Sequence, residues 1–437
     1  MPSIKDRIVA PTIKPIKKLY IKRRLFNDTY ESNWQRVDII NGQDIIINWG
    51  AVSYSIDPLP STSSTNSDIS GVTITVSNIN GFFNKETQVG SFFYPSDVYL
   101  TRAMSKIRIT VSLEQDDMSE YGETIMFEGF IEQVVTSENQ TATIKCIAYT
   151  YIFKQYSISD MGFTSTSTLA GTLLNSILNQ VKITSFFDVS SISILNNPLI
   201  QDPSKLQGDY WEIIQKLVYL CGACIIFNCS AGGGFVWGQF NWGETGAQWG
   251  ETPDTARIRL KIVPRQSSGS IIWNLKGIGN DKADVLDSFS YDDEGATRIV
   301  TRWEEEGGTL YAETGNITYK KKYKIKPYKV KLDDVALASR QSVLNTLLSI
   351  WESPKPSIKL LCIFMMNYIK VGDTVTYQNY GKIDQEEPSI WGKFTWGSFV
   401  WSEPKGAVLF PIDQKFFVTD VSHDFESLTT TLRLEIA

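Results

Sequence analysis

Histidine is almost absent: one residue in 437, His423, so few routes to a general base remain. Catalysis by a Ser, Cys or Thr nucleophile needs such a base beside it. His423 sits in "DVSHDFES" among Asp420, Ser422, Asp424 and Ser427, which are the right residue types. Neighbours on a strand point to opposite faces, however, so Ser422, His423 and Asp424 do not converge, and a structural histidine is expected. Cysteine is also scarce. Of five, Cys221, Cys224 and Cys229 lie in "LVYLCGACIIFNC", apolar almost throughout, with neither a second cysteine pair nor a nearby histidine to complete four zinc ligands. They read as thiols packed like small hydrophobes, with no disulfide framework and hence assembly in a reducing cytoplasm. The glycine-rich "SAGGGF" lacks the Lys-Ser/Thr and helix of a phosphate loop. No run of about twenty apolar residues is found, and the basic, proline-broken start never gives way to an apolar stretch. The expectation is a protein soluble when made, without a membrane segment, metal, cofactor or catalytic residue. A net charge of −6 gives no global attraction to nucleic acid. The acid runs Glu304, Glu305, Glu306 and Asp292, Asp293, Glu294 read as solvated faces or turns rather than a glycosidase pair.

What is present is strand. At roughly 100–200 residues per domain the length predicts two to four domains. Residues 1–24 carry Lys17, Lys18, Lys22, Arg23 and Arg24 among eight cations, with Pro2, Pro11 and Pro15 opposing a helix. This is an extended basic arm, either docking on an acidic neighbour or nucleic acid, or a solvated terminus. Residues 25–155 run strand after strand, from "GVTITVSN" and "SKIRITVSL" to two long strands around "TSENQ". Residues 156–265 change period. "TSTLAGTLLNSILNQV" and "GDYWEIIQKLVYL" read as helices, the second capped by Asp209 and ended near Gly222, before the strand "ACIIFNC". Residues 266–437 return to strands around one helix, "LDDVALASRQSVLNTLLSIWES". There "YKKKYKIKPYKVK" reads as a strand with a lysine row, either an exposed edge or a phosphate contact. The fold class is mainly β with α+β parts.

Two segments repeat one phrase. "IWGKFTWGSFVW" places Trp391, Trp396 and Trp401 five apart, with Phe394 and Phe399 between, and "FVWGQFNWGET" repeats it with Trp237, Phe240 and Trp242 before Trp249. Odd spacing puts successive indoles on opposite faces of a flat strand, so the glycines imply a kink or bulge at each repeat. Both fall between strands and read as hairpin or loop insertions. Burying such aromatics is worth about 1.5–3 kcal/mol each, so a cover is expected, either the same subunit or another protein. A carbohydrate-binding adhesin, stacking sugars on these indoles, is the alternative.

Four stretches, in order, resemble the hub proteins of phage tails and related injection machines. "MFEGFIEQV" followed by "TIKCIAYT" is similar to the strand pair, with F-x-G-x-[IV], that ends the family's first barrel. "GDYWEIIQKLVYLCGACIIF" resembles its aromatic-started helix and Gly turn. "ASRQSVLNTLLSIWES" leading to "VGDTVTY" (Val371, Gly372, Asp373) is similar to its helix, strand and turn, and "KFFVTDVSHDFESLTTTLRLEI" to its closing hairpin. The resemblance implies two tail-tube-like β-barrel domains with an α/β domain between them, so that three subunits imitate a six-membered ring. It implies a non-enzymatic homotrimer of the virion's tail tip or baseplate, a structural part of host cell entry. Its partners would be the tail tube protein, a distal tail or baseplate ring protein and a central spike or fibre, with tape measure protein in the lumen and DNA only in transit. The Trp-Gly segments and the basic arm match no motif of that family.

Overall fold

The computed structural model describes residues 15–25, 29–56, 68–84, 89, 91–93, 100–114, 120–137, 140–229, 258–265, 270–276, 290–292, 300–325, 327–352, 357–362, 365–366, 369–378 and 414–436. Its first strands are β1 (Pro15–Leu25), β2 (Gln35–Arg36), β3 (Ile46–Asn48), β4 (Ala51–Ser55) and β5 (Asp68–Ile69). They are followed by β6 (Val72–Ser77), β7 (Leu100–Glu114), β8 (Glu120–Thr136) and β9 (Thr141–Ala148). A curled sheet runs β2-β1-β7-β8-β9-β6-β3. Alternation produces it: in β6 and β9 every second residue, Val72, Ile74, Val76, Ala142, Ile144 and Cys146, is buried.

Of the basic segment, residues 1–14 lie outside the described residues, and the part that is described is not a free arm. From Pro15 it is strand β1, paired with β7 from Pro15↔Leu113 to Leu25↔Leu100 and with β2 on its other edge. Leu19 and Ile21 are wholly buried, and Pro15 opens the strand, a place where proline is tolerated.

The mixed unit holds α1 (Ala170–Leu178), β10 (Phe187–Ile192), α2 (Tyr210–Leu220), β11 (Ala223–Cys229) and β12 (Ile258–Pro264), with sheet order β10-β12-β11. Asp209 caps α2, its carboxylate accepting the Glu212 N–H at 2.9 Å, and Gly222 ends the turn after the helix at φ +66°. Phe153 stacks between Phe187 and Trp211 at 5.1 and 5.3 Å, fixing this unit to the end of the first sheet.

The last third contains β13 (Ile271–Lys276), β14 (Ser290–Asp292), β15 (Arg302–Glu305), β16 (Tyr311–Glu313), α3 (Ile317–Tyr323), β17 (Pro327–Val330) and α4 (Leu337–Trp351). It closes with β18 (Ser357–Cys362), β19 (Thr374–Gln378), β20 (Lys415–Asp424) and β21 (Thr429–Ile436). The expected lysine strand is helix α3 over its first half. Asn316 caps it, accepting from the Thr318 and Tyr319 N–H groups at 3.0 and 3.2 Å, and only from Pro327 does the run become a strand. Among the described residues this third therefore carries two helices rather than one, beside the small sheet β16-β15-β17. That insertion docks on the mixed unit: the N–H of Gln201 donates to Asp334 O, that of Ala336 to Leu199 O, and Lys216 pairs with Asp334.

The second large sheet runs β13-β19-β20-β21-β18-β14. Leaving out edge strand β2, the first runs β1-β7-β8-β9-β6-β3, so each sheet places its first, fourth, fifth, sixth, third and second strands in that spatial order. The match extends to single residues. The hairpin pairs Gly129↔Ala148, Phe130↔Ile147 and Ile131↔Cys146, a bulge at Glu132, then Gln133↔Lys145 to Thr136↔Ala142 correspond to Phe416↔Ile436, Phe417↔Glu435 and Val418↔Leu434, a bulge at Thr419, then Asp420↔Arg433 to His423↔Thr430. The next strand keeps step: Ile144↔Ile74 corresponds to Leu432↔Leu360. Met104 and Gly372, each three residues before the equivalent Ile107 and Val375, both have positive φ, +61° and +90°. One pairing differs in sense: β1 is antiparallel to β7, whereas β13 is parallel to β19.

The two sheets are also laced together. β4, from the first third, pairs with β20 from Ser55↔Asp420 to Ala51↔Asp424 and carries β5 with it. Residues 25–155 are therefore not confined to one sheet.

Candidate functional site

The tryptophan anchors expected from sequence, Trp237, Phe240, Trp242, Trp249, Trp391, Phe394, Trp396, Phe399 and Trp401, lie outside the described residues. The basic cluster is described, and the side-chain heads of Lys17, Lys18, Lys22 and Arg23 are engaged within the chain. Lys17 Nζ donates to Phe425 O at 2.8 Å and lies over the Trp49 ring, and Lys18 Nζ faces Glu123 at 3.5 Å. Lys22 donates to Ser32 O at 2.7 Å, Arg23 forks onto Glu31 and donates to Phe92 O at 2.7 Å, and the Arg24 N–H donates to Ser105 Oγ at 3.1 Å. Expected as contacts to another molecule, these cations stitch the first sheet to its own neighbours. Two acids of the first run are likewise held: Glu304 lies 3.2 Å from Arg302, and Glu305 pairs with Arg340, whereas Asp293 and Glu294 lie outside the described residues.

The junction where β4 crosses into the second sheet is the most constructed region. Tyr54 on β4 donates its hydroxyl to Met126 O of β8 at 2.6 Å, and Ser53 and Ser422 share a hydroxyl contact at 3.0 Å. A narrow cleft opens there, walled by Tyr54, Met126, Phe227, Lys370, Val421 and His423. His423 is 2% exposed, with Nδ1 2.9 Å from Thr430 Oγ1. Burial, with Lys370 nearby, pushes its pKa down to about 3, so the folded imidazole stays neutral near neutral pH. The unfolded imidazole binds a proton below about pH 6.5, so the unfolded state takes up more protons between that pH and 3, and stability falls as pH drops through this window. Asp373, raised to about 6 by burial, opposes this, since its folded carboxyl is protonated before the unfolded one. His423→Gln is therefore expected to lose less melting temperature than wild type between about pH 7 and pH 4, read by calorimetry; equal losses would contradict the assignment.

Cys221 and Cys224 are buried, and burial pushes their thiols up to about 12 and about 11, which disfavours the thiolate that redox chemistry or metal ligation needs.

Two features escaped the sequence reading. On β7, the face carrying Arg108, Thr110 and Ser112 alternates with Ile107, Ile109 and Val111 and reads as solvated, yet all six are buried. Arg108 pairs with Glu128 at 3.3 Å, beneath the Trp34 ring at 4.2 Å, and the Tyr149 hydroxyl donates to the same carboxylate at 3.0 Å. The second feature is an edge. β8 pairs with β7 only as far as Phe130↔Lys106, and among the described residues no strand covers that side of Ile131–Thr136. Nothing local in a sequence marks a strand whose neighbour turns away.

No family model matches the chain, and no curated protein is similar to it. Among solved structures it is similar to a tail protein from Neisseria meningitidis (10% identity, 95% of this chain and 96% of that one, TM-score 0.48). It is similar also to the prophage tail protein gp18 from Listeria monocytogenes (13%, 95% and 94%, TM-score 0.46). A third likeness is the 43 kDa tail protein of prophage MuSo2 from Shewanella oneidensis (9%, 96% and 99%, TM-score 0.49).

Proposed function

We propose that this chain is a structural, non-enzymatic hub of a phage tail tip or baseplate. Three copies close a ring that caps the tail tube and joins it to a surrounding ring protein and a central spike or fibre, with tape measure protein and transiting DNA in the lumen. The observation that carries this reading is the equivalence of the two large sheets. A chain holding two copies of one strand layout, matched pair by pair through a bulge and a hairpin, supplies six similar units from three subunits, which is what a threefold collar needs to mate with a sixfold tube. The resemblance of four sequence stretches to the hub family points the same way. In this reading Trp237, Trp242, Trp391, Trp396 and Trp401 are contact anchors for adjoining proteins, since buried aromatics dominate interface energetics.

Sedimentation of the purified chain tests the proposal. The expected mass is three times the 49.3 kDa of one chain. A monomer at every concentration overturns it. Replacing Trp391, Trp396 and Trp401 by Ala is expected to leave the trimer intact and abolish recruitment of a neighbouring tail protein; unchanged recruitment removes their role.

A further inference from the structure

The two equivalent sheets differ in one respect that points outward. In the second sheet, β19 leaves β20 after the turn at Gly372, and the freed edge of β20, Asp420–Asp424, is filled by β4 through five antiparallel register pairs. In the first sheet β7 leaves β8 at the equivalent place, where Met104 has positive φ, and frees the equivalent edge, Gln133–Ser137. Here no strand of the described chain follows. Glu132, Gln133, Thr136 and Ser137 are exposed, and Val135 is 44% exposed.

The direction of the free backbone groups follows from the hairpin. The Ser137 N–H donates to Thr141 O, so Ser137 and Val135 turn their backbone groups toward β9, and the alternate residues Val134 and Thr136 turn theirs toward the open edge. The second sheet shows the same parity put to use: Phe425 N–H donates to Gly50 O, and Thr419 O accepts from Ile56 N–H, so Val421 and His423 face β4.

We propose that the Gln133–Ser137 edge of β8 is the subunit contact of the ring, filled by an antiparallel strand from a second copy of this chain. The inference rests on the trimer reading above. The occupant follows from counting donors and acceptors. Each chain holds two equivalent edges. The first repeat's donor, β4, is already spent on the second repeat of its own chain, so the first repeat's edge must be met by the next copy. Three such contacts between chains alternate with three inside them and close a ring in which neither of the two equivalent edges is left open, and an uncovered edge is a standing route to uncontrolled pairing.

Thr136→Pro tests this on the full chain. Proline removes an N–H that faces the open edge, not the ladder to β9, so the hairpin survives while an incoming strand loses a bond and meets the ring. The expected result is a trimer for wild type and a monomer for the variant at the same concentration, with association weakened about 100-fold or more and an unchanged circular dichroism spectrum. Amide exchange on the wild type gives a second reading that does not depend on the variant folding. Val134 and Thr136 should exchange as slowly as Val421 and His423 in the trimer. A trimeric variant, or fast exchange at Val134 and Thr136 in a trimeric wild type, overturns the edge contact and leaves the trimer standing. A wild-type monomer removes the trimer reading and the edge contact together.

Discussion

Gly129→Ala is expected to lower the melting temperature by about 6–12 °C, the consequence of roughly 3 kcal/mol of overpacking in a unit of this size. The added Cβ would stand 2.1 Å from Ile147 O, 3.0 Å from Ile147 C and 2.9 Å from the Phe127 ring. Two of those three atoms belong to the backbone of β9, which cannot rotate aside as a side chain would. Relief requires shifting the hairpin, and the hairpin sits in the middle of the first sheet, with Ile107, Phe127 and Phe130 packed around it. The glycine of "FEGFI" thus has a steric rather than a conformational reason. Its counterpart in the second sheet is Phe416, fully buried, so the requirement belongs to this crossing and not to the layout. A melting temperature within about 1 °C of wild type would refute the packing account.

Removing one partner of the Arg108–Glu128 pair is expected to cost about 3–5 kcal/mol, more than any surface ion pair in the chain. Both side chains are at most 5% exposed, 3.3 Å apart, and Glu128 also accepts from Tyr149. Arg108→Met leaves the carboxylate buried with only a phenol beside it. Glu128→Leu takes the carboxylate away from a buried guanidinium that lies against the Trp34 face. The double substitution to Met and Leu removes both charges together and is expected to recover most of the loss, because a well-packed apolar pair avoids both desolvation costs. Chemical denaturation of the four chains in a double-mutant cycle gives the coupling. Additive losses would show that the pair does not act as a unit. The register-equivalent positions in the second sheet are Thr376 and Lys415, so the ion pair distinguishes the first repeat from the second.

The helices were legible because their signals are local. Asp209 and Gly222 bracket α2 in the sequence as they do in space, and the apolar spacing of Leu173, Leu174, Ile177 and Leu178 marks α1. The strand pair β8-β9 was legible from alternation around a polar turn, and the hairpin β20-β21 from its resemblance to the closing hairpin of the hub family. Errors came where a local cue competed with a distant partner. The cations of β1 read as a docking arm or a solvated terminus because Glu31, Glu123 and the carbonyls that receive them lie up to 408 residues away. The lysines of α3 read as a strand because they alternate with period two, and it is the Asn316 cap that starts a helix there. The transfer of β4 to β20 has no sequence signal, since pairing partners 369 residues apart leave no pattern in either segment. The equivalence of the two sheets was barely legible: Phe130 and Phe417, Val134 and Val421, and Thr143 and Thr431 agree in type, but alternating strands agree that often by chance. The shared bulge and register make the case. Of the candidate site, the tryptophans fall on residues outside the described set, and the open edge of β8 is a property of pairing, invisible until the partners are known.

Most directly, the account stands on images of the purified full-length chain viewed down the axis of the assembly. Class averages are expected to show a threefold ring with six similar lobes around a central hole, three lobes from each repeat. A two-lobed particle, or a threefold particle whose six lobes fail to resemble one another, would contradict the claim that the two sheets act as equivalent units.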